Sequence, residues 1–187
     1  MSGQPVLTLA VGHRPCNDRG ERLAALFDAH EDRLYGLARR LAASADEAND
    51  LVQETFLRAA KYVRSVPIGL TKEEAWLVRV LVNIRRDQWR KASVRKRSAA
   101  LLRTGVTIHP SNVESALMAK RAVWGALDAL HPRRRAVVIM HELEGMSLLA
   151  IASFLGVSGM TVRWHLSMAR RQIASWLRRI GGLRSAA

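Results

Sequence analysis

One periodicity runs through most of this chain. From Glu21 onward apolar residues recur every three or four positions, and no stretch alternates apolar with polar residues long enough to make a half-buried strand. An α-helix turns about 100° per residue, so this spacing gathers apolar side chains on one face. The fold is therefore expected to be all-α. In ERLAALFDAHEDRLYGLARRLAAS, residues 21–44, the positions Leu23, Leu26, Phe27, Leu34, Leu37, Ala38 and Leu41 share such a face, and Ser44 offers a side-chain cap for a second helix. With 187 residues and 49% hydrophobic content the chain can build one packed domain or two small ones.

Interruptions in the pattern suggest two. Pro67 and Gly69 break it after the second helix, and Thr71 followed three residues later by Glu74 resembles a capping box that opens a long third helix, EEAWLVRVLVNIRRDQWRK. From Ser93 to Val113 the periodicity weakens through SVRKRS and TGVTIHPSN, which reads as an interdomain connection. The expected organisation is a disordered N-terminal tail 1–20, a helical domain 21–92, a flexible linker 93–113, a smaller helical domain 114–180 and a C-terminal tail 181–187.

Charge narrows the partners. Thirty Lys and Arg against sixteen Asp and Glu leave a formal +14, which calls for a polyanion such as nucleic acid or an acidic membrane surface. Cys16 is the single cysteine, so neither an intramolecular disulfide nor a thiolate metal cluster is available, as in a reducing cytoplasm. The start lacks a basic leader and a long apolar run, and nowhere is there an apolar stretch long enough to span a bilayer, so a cytoplasmic protein without membrane insertion is expected. The histidines His13, His30, His109, His131, His141 and His165 form no metal pair at helical spacing, and HELEG at 141–145 lacks the second histidine of a zinc-protease motif. Without a glycine-rich phosphate loop or a nucleophile in a recognisable setting, no cofactor, no metal and no catalysis of its own are expected. That weighs against a helical nuclease or a recombinase fragment.

Three segments carry candidate sites. In DLVQETFLRAA, residues 50–60, an apolar stripe of Leu51, Val52, Thr55, Phe56 and Ala59 continues to Tyr62 and Val63. The opposite face holds Asp50, Gln53, Glu54, Arg58 and Lys61 around Leu57. A purely solvated face has no need of that leucine. In the third helix Leu77, Val78, Leu81 and Ile84 point one way, while Trp76, Arg79, Asn83, Arg86, Asp87 and Arg90 gather on another side; Trp89 is expected to face the core. An aromatic, an amide and cations together are what holds single-stranded nucleic acid, by stacking, base-edge hydrogen bonds and a phosphate track. An ordinary half-buried tryptophan beside a solvated basic run gives the same pattern.

Near the C-terminus Ser147 caps a short helix with Leu148, Ile151, Ala152 and Leu155 inward. Gly156 ends it, and Ser158 caps a second helix whose Val162, Leu166, Ala169 and Ile173 pack inward. The outer face presents Met160, Arg163, Trp164, Ser167 and Arg171. A short helix, a glycine turn and a basic second helix make a helix-turn-helix, with arginines at base edges and Ser158, Thr161 and Arg170 on phosphates. A helical hairpin with a solvated basic face is the alternative.

In this order the segments resemble the extracytoplasmic-function group of bacterial RNA polymerase sigma factors of the sigma-70 family, over about residues 21–178. DEANDLVQETFLRAA is similar to the family's core-polymerase docking helix, AWLVRVLVNIRRDQWRK to its promoter-melting helix, and ALDALHPRRRAVVIMHELEGMSLLAIASFLGVSGMTVRWHLSMARR to its helix-turn-helix. The resemblance implies a region 2 bundle and a region 4 helix-turn-helix. Asp50, Gln53, Glu54, Leu57 and Arg58 would bind the largest-subunit clamp of core RNA polymerase, with Leu57 the apolar anchor inside a polar rim. Asn83 and the loop 65–71 would hold a base flipped from the melted (−10) promoter element, with Trp76, Arg79, Arg86 and Arg90 along the strand. Ser158, Met160, Thr161, Arg163, Trp164, Ser167, Arg170 and Arg171 would read the duplex (−35) element. The partners implied are core polymerase, promoter DNA in double- and single-stranded form, and the family's anti-sigma factors as a further class. The sequence departs from the family's pattern at Ala150, where an acid is usual, at Trp164 and His165, commonly small or basic, and at Met168, commonly arginine. A helix-turn-helix regulator that binds duplex DNA without polymerase is the rival reading, and it leaves Leu57 unexplained.

Overall fold

A computed structural model describes the backbone of residues 18–100 and 115–185 and the side chains of 19–95 and 122–179. Among these residues there are only helices and short connections, as the periodicity requires. The first unit is built from α1 (Asp18–Leu41), α2 (Ala45–Lys61), a 3-10 turn at Val63–Ser65 and α3 (Leu70–Ala100). The second contains α4 (Ser115–Asp128), α5 (Pro132–Val138), a π-helical turn at Ile139–Leu143, α6 (Leu148–Leu155) and α7 (Gly159–Ser185).

Capping chemistry sets several of these boundaries. Ser44 Oγ accepts from Glu47 N at 3.1 Å, and the Glu47 carboxylate accepts from Ala43 N at 2.6 Å, so side chains satisfy donors at the head of α2. At the other end of α1, Arg85 donates to the Leu41 carbonyl at 3.0 Å and Arg135 to that of Arg40 at 2.7 Å. Two cations thus complement the negative helix terminus.

The start of α3 differs from the capping box expected at Thr71 and Glu74. The helix begins at Leu70, after Gly69 with φ of 109°, and Glu73 accepts from Gly69 N at 3.3 Å. Glu74 instead pairs with Arg33 of α1 at 2.9 Å. At its far end α3 continues to Ala100, so residues 93–100, expected in the linker, are helical; no Gly or Pro interrupts that stretch, and Ala, Arg and Lys favour the helix. The rest of the expected linker and most of the expected N-terminal tail lie outside the described residues, as do Cys16, His13 and His109. The helical backbone of α7 reaches Ser185, into the segment expected as a C-terminal tail.

The stripes meet in one continuous core. Leu26, Leu34, Leu37 and Leu41 of α1, Leu51 and Phe56 of α2 and Leu77, Val78, Leu81 and Ile84 of α3 are buried together. Phe27 sits at the rim, tilted against Phe56 at 4.8 Å between ring centroids. Tyr62, placed in the α2 stripe by spacing, is exposed, because the helix ends at Lys61 and the chain turns there. The same cluster runs on through Leu130, Val137, Ile139 and Met140 to Ile151, Val162, Leu166 and Ala169. Trp89 contributes at the seam between units rather than within the bundle: its ring meets His131 edge-on at 4.9 Å.

Candidate protein and nucleic-acid interfaces

The polar side of α2 opens onto a shallow cleft of about 390 Å³. Its near wall holds the five residues singled out by sequence, Asp50, Gln53, Glu54, Leu57 and Arg58; its far wall comes from α3, with Ile84, Asp87, Gln88 and Lys91. Leu57 is 66% exposed at the centre of this surface, and Glu54 and Arg58 pair beside it at 2.9 Å. Gln88 Oε1 is buried without a hydrogen-bond partner. The α3 wall was not legible from the α2 wheel; it follows from the packing of α2 on α3.

The polar side of α3 is not free. Arg79 donates from Nη2 to the Ser153 carbonyl at 3.1 Å and from Nε to the Phe154 carbonyl at 3.3 Å, covering the carboxyl end of α6. Asn83 Oδ1 accepts from Arg133 of α5 at 3.2 Å. Arg86 pairs with Asp87 at 3.1 Å, Arg90 is exposed, and Trp76 packs half-buried against the bundle core. Arg22 of α1 donates to the Val66 carbonyl at 2.6 Å, tying down the loop 65–71, while Ile68 and Leu70 remain exposed.

Other contacts hold the two units together. Glu144, just after the π turn, receives Arg33 at 2.6 Å and Arg40 at 3.0 Å, and only 7% of its side chain is exposed. The hydrogen bond to Glu144, helped by Glu74 against the cost of burial, raises the Arg33 pKa above its ordinary value. Buried Arg135 pairs with Asp128. Around His131 the balance is cationic: burial, then Arg134, Arg133 and Arg86, push its pKa below the ordinary value. Its Nδ1 lies 3.3 Å from Arg133 N and accepts that donor, making His131 the N-cap of α5. His165 is lowered in the same way, by burial and then Arg134 and Arg133, and its Nδ1 has no partner.

The helix-turn-helix is formed as the sequence spacing indicates. Ser147 Oγ accepts from Ala150 N at 3.2 Å, Gly156 takes φ of 63° to end α6, and Ser158 Oγ accepts from Thr161 N at 3.1 Å. Val162, Leu166 and Ala169 are buried. Met160, Arg163, Trp164, Ser167, Arg170 and Arg171 are exposed on the other faces of α7, with Arg170 paired to Glu142 at 2.7 Å. Ser158 and Thr161 bond to each other at 2.9 Å. Arg134, which sequence reasoning missed, lies over the Trp164 ring at 5.3 Å and donates to Gln172 at 3.1 Å. Among the described residues no group of three His, Cys, Asp or Glu is placed to hold a metal, and no helix is long and apolar enough to cross a membrane.

A helical bundle with a leucine-centred cleft, packed on a helix-turn-helix with a cationic outer face, has the form of a helical DNA-binding protein. The chain matches the Sigma-70 region 2 family over residues 26–95 and the Sigma-70 region 4 family over residues 120–173. It is 35% identical over 157 residues to the ECF RNA polymerase sigma factor SigE of Mycolicibacterium smegmatis, covering 81% of this chain and 60% of that one. It is 32% identical over 161 residues to the ECF RNA polymerase sigma factor SigL of Mycobacterium tuberculosis, covering 85% and 90%. Among solved structures, the sigma factor RpoE in complex with the anti-sigma factor NepR from Bartonella quintana superposes with a TM-score of 0.56 at 27% identity, over 86% of this chain and 97% of that one. CnrH in complex with the cytosolic domain of CnrY shares the fold, with a TM-score of 0.55 at 21% identity. The chain belongs to the ECF RNA polymerase sigma factors of the sigma-70 family.

Proposed function

We propose that this protein binds core RNA polymerase in the cytoplasm and directs it to a particular set of promoters, helping to open the duplex while the polymerase supplies the chemistry. The observation that carries this reading is Leu57, a large apolar residue held exposed at the centre of a polar cleft between α2 and α3. Interface hot spots have that form, an apolar anchor inside a rim that excludes water. Asp50, Gln53, Glu54 and Arg58 surround the anchor, and the clamp of the largest subunit is its partner.

The first unit, about residues 21–92, carries docking and strand capture, and the second, about 114–180, reads duplex. Asn83, Arg79, Trp76, Arg86 and Arg90 hold the parted strand, and binding bases only once they are unstacked lowers the free energy of the open promoter relative to the closed one. Because α5 and α6 engage Asn83 and Arg79 here, strand capture requires the units to part. Once separated and tethered to one polymerase, the two DNA-binding units gain from effective concentration. An anti-sigma factor, the partner of the RpoE relative, is a fitting antagonist for this chain as well.

Leu57→Glu tests the reading directly. Copurification with core polymerase should be lost while far-ultraviolet helicity is unchanged, since the residue lies outside the core. Retained association would refute the docking role.

A further inference from the structure

The outward face of α7 carries more than cations. Met160, in the first turn of the helix, is 72% exposed, and Trp164, one turn further on, is 52% exposed. Leu149 of α6, 79% exposed, flanks the entry to α7, with its Cδ2 3.8 Å from where a Cβ on Gly159 would stand. Leu149 and Met160 therefore stand at the leading end of α7, with Trp164 one turn further on, on a helix whose other exposed residues there are Arg163, Ser167, Arg170 and Arg171. Phosphate contacts give no reason for them, because an apolar group gains nothing beside an anionic oxygen.

Trp164 already has an occupation. Arg134 of α5 lies over its ring, and a hydrogen bond to Gln172 holds that guanidinium in place. The indole thus serves as a shelf that positions a cation beside the reading face. Met160 has no such neighbour to hold. It occupies the part of a recognition helix that meets base edges, and the methyl group that those edges present in the major groove is the C5 methyl of thymine. A flexible, polarisable thioether adapts well to a small apolar target of that kind.

We propose that Met160, flanked by Leu149, reads a thymine methyl group in the major groove of the upstream duplex element. At that position the base pair is selected by apolar contact rather than by hydrogen bonding. This rests on α7 being the recognition helix of the promoter-reading unit, as proposed above, and it identifies the chemistry by which one position of that element is chosen.

The test uses the full chain assembled with core polymerase. An upstream element is enriched from a randomised duplex library, and each thymine in it is then replaced by deoxyuridine, which removes only the methyl group. At one position the replacement should weaken binding about fourfold, the factor expected for one buried methyl-sized group. Met160→Ala should bind the thymine and deoxyuridine duplexes equally at that position while keeping the salt dependence set by its phosphate contacts. Met160→Leu should keep the discrimination. Equal wild-type affinity for thymine and deoxyuridine at every position overturns the proposal. So does a Met160→Ala variant that retains the ratio, or an enriched element without an A·T pair. Each of these leaves sequence reading by α7 standing, whereas failure to enrich any sequence would overturn that role and the methyl contact together.

Discussion

Glu144→Gln probes the contact that locks the two units together. The carboxylate is almost fully buried and receives two guanidinium groups, from Arg33 and Arg40. A hydrogen bond to a charged group is worth about 1.5–3 kcal/mol, and Gln retains one acceptor without the charge. Both arginines are well exposed, so solvent screening reduces what the ion pairs themselves contribute. The net loss should be about 2 kcal/mol, or about thirtyfold in the ratio of docked to separated units. With Cys16 replaced by Ser, dyes on cysteines introduced at the exposed positions Ala60 and Ser175 report the separation of α2 from α7 by energy transfer. The variant should shift the distribution toward larger distances and bind single-stranded promoter DNA more tightly, because Asn83 and Arg79 are released. Raising salt in the wild type should shift the distance distribution in the same direction, since screening weakens the same pairs. An unchanged distance distribution in Glu144→Gln at every salt concentration would refute the reasoning.

Docking should also depend on pH. His131 is held below its ordinary value in the docked state, by burial first, then by Arg134 and Arg133 of its own helix and by Arg86 across the seam; parting relieves only the burial against α3 and Arg86, so docking favours the neutral ring and weakens as pH falls through the separated-state pKa toward the lower docked-state one. The same energy-transfer assay from mildly alkaline to mildly acidic pH should show opening on acidification; His131→Asn, which can still cap α5, should show a smaller pH response, and an identical response would contradict the assignment. Gly156→Ala should destabilise the helix-turn-helix by about 1–2 kcal/mol in thermal unfolding, the cost of a left-handed non-glycine residue. It should also push the Arg79 guanidinium off the Ser153 and Phe154 carbonyls, since the new Cβ would stand 2.8 Å from Arg79 Cζ.

What the sequence made legible was local. Ser44, Ser147 and Ser158 cap helices through their own neighbours, and Gly156 ends α6 by its own backbone preference, so short-range chemistry alone places them. The stripes of α1, α2 and α7 were readable for the same reason. Glu73 and Glu74 were harder to tell apart, because which acid reaches back to Gly69 depends on a helix register that Arg33, in another helix, helps to choose. Trp89, Arg79 and Asn83 carried no sign in their own segment that α5 and α6 would cover them; that information lies some forty or more residues away in the chain. His131 as a cap and Arg134 over Trp164 likewise become visible only when α5 is set against its neighbours.

The length and continuity of α3 have a mechanical consequence. Asn83 and Gln88 stand on the same unbroken rod, one facing α5 and the other the cleft beside α2. Five residues of helix place them about 7.5 Å apart along the axis. A single inserted residue between them would rotate one grip by about 100° relative to the other. The spacing between the proposed polymerase grip and the proposed DNA grip is therefore quantised by the helical repeat, and evolution can retune it only in whole residues.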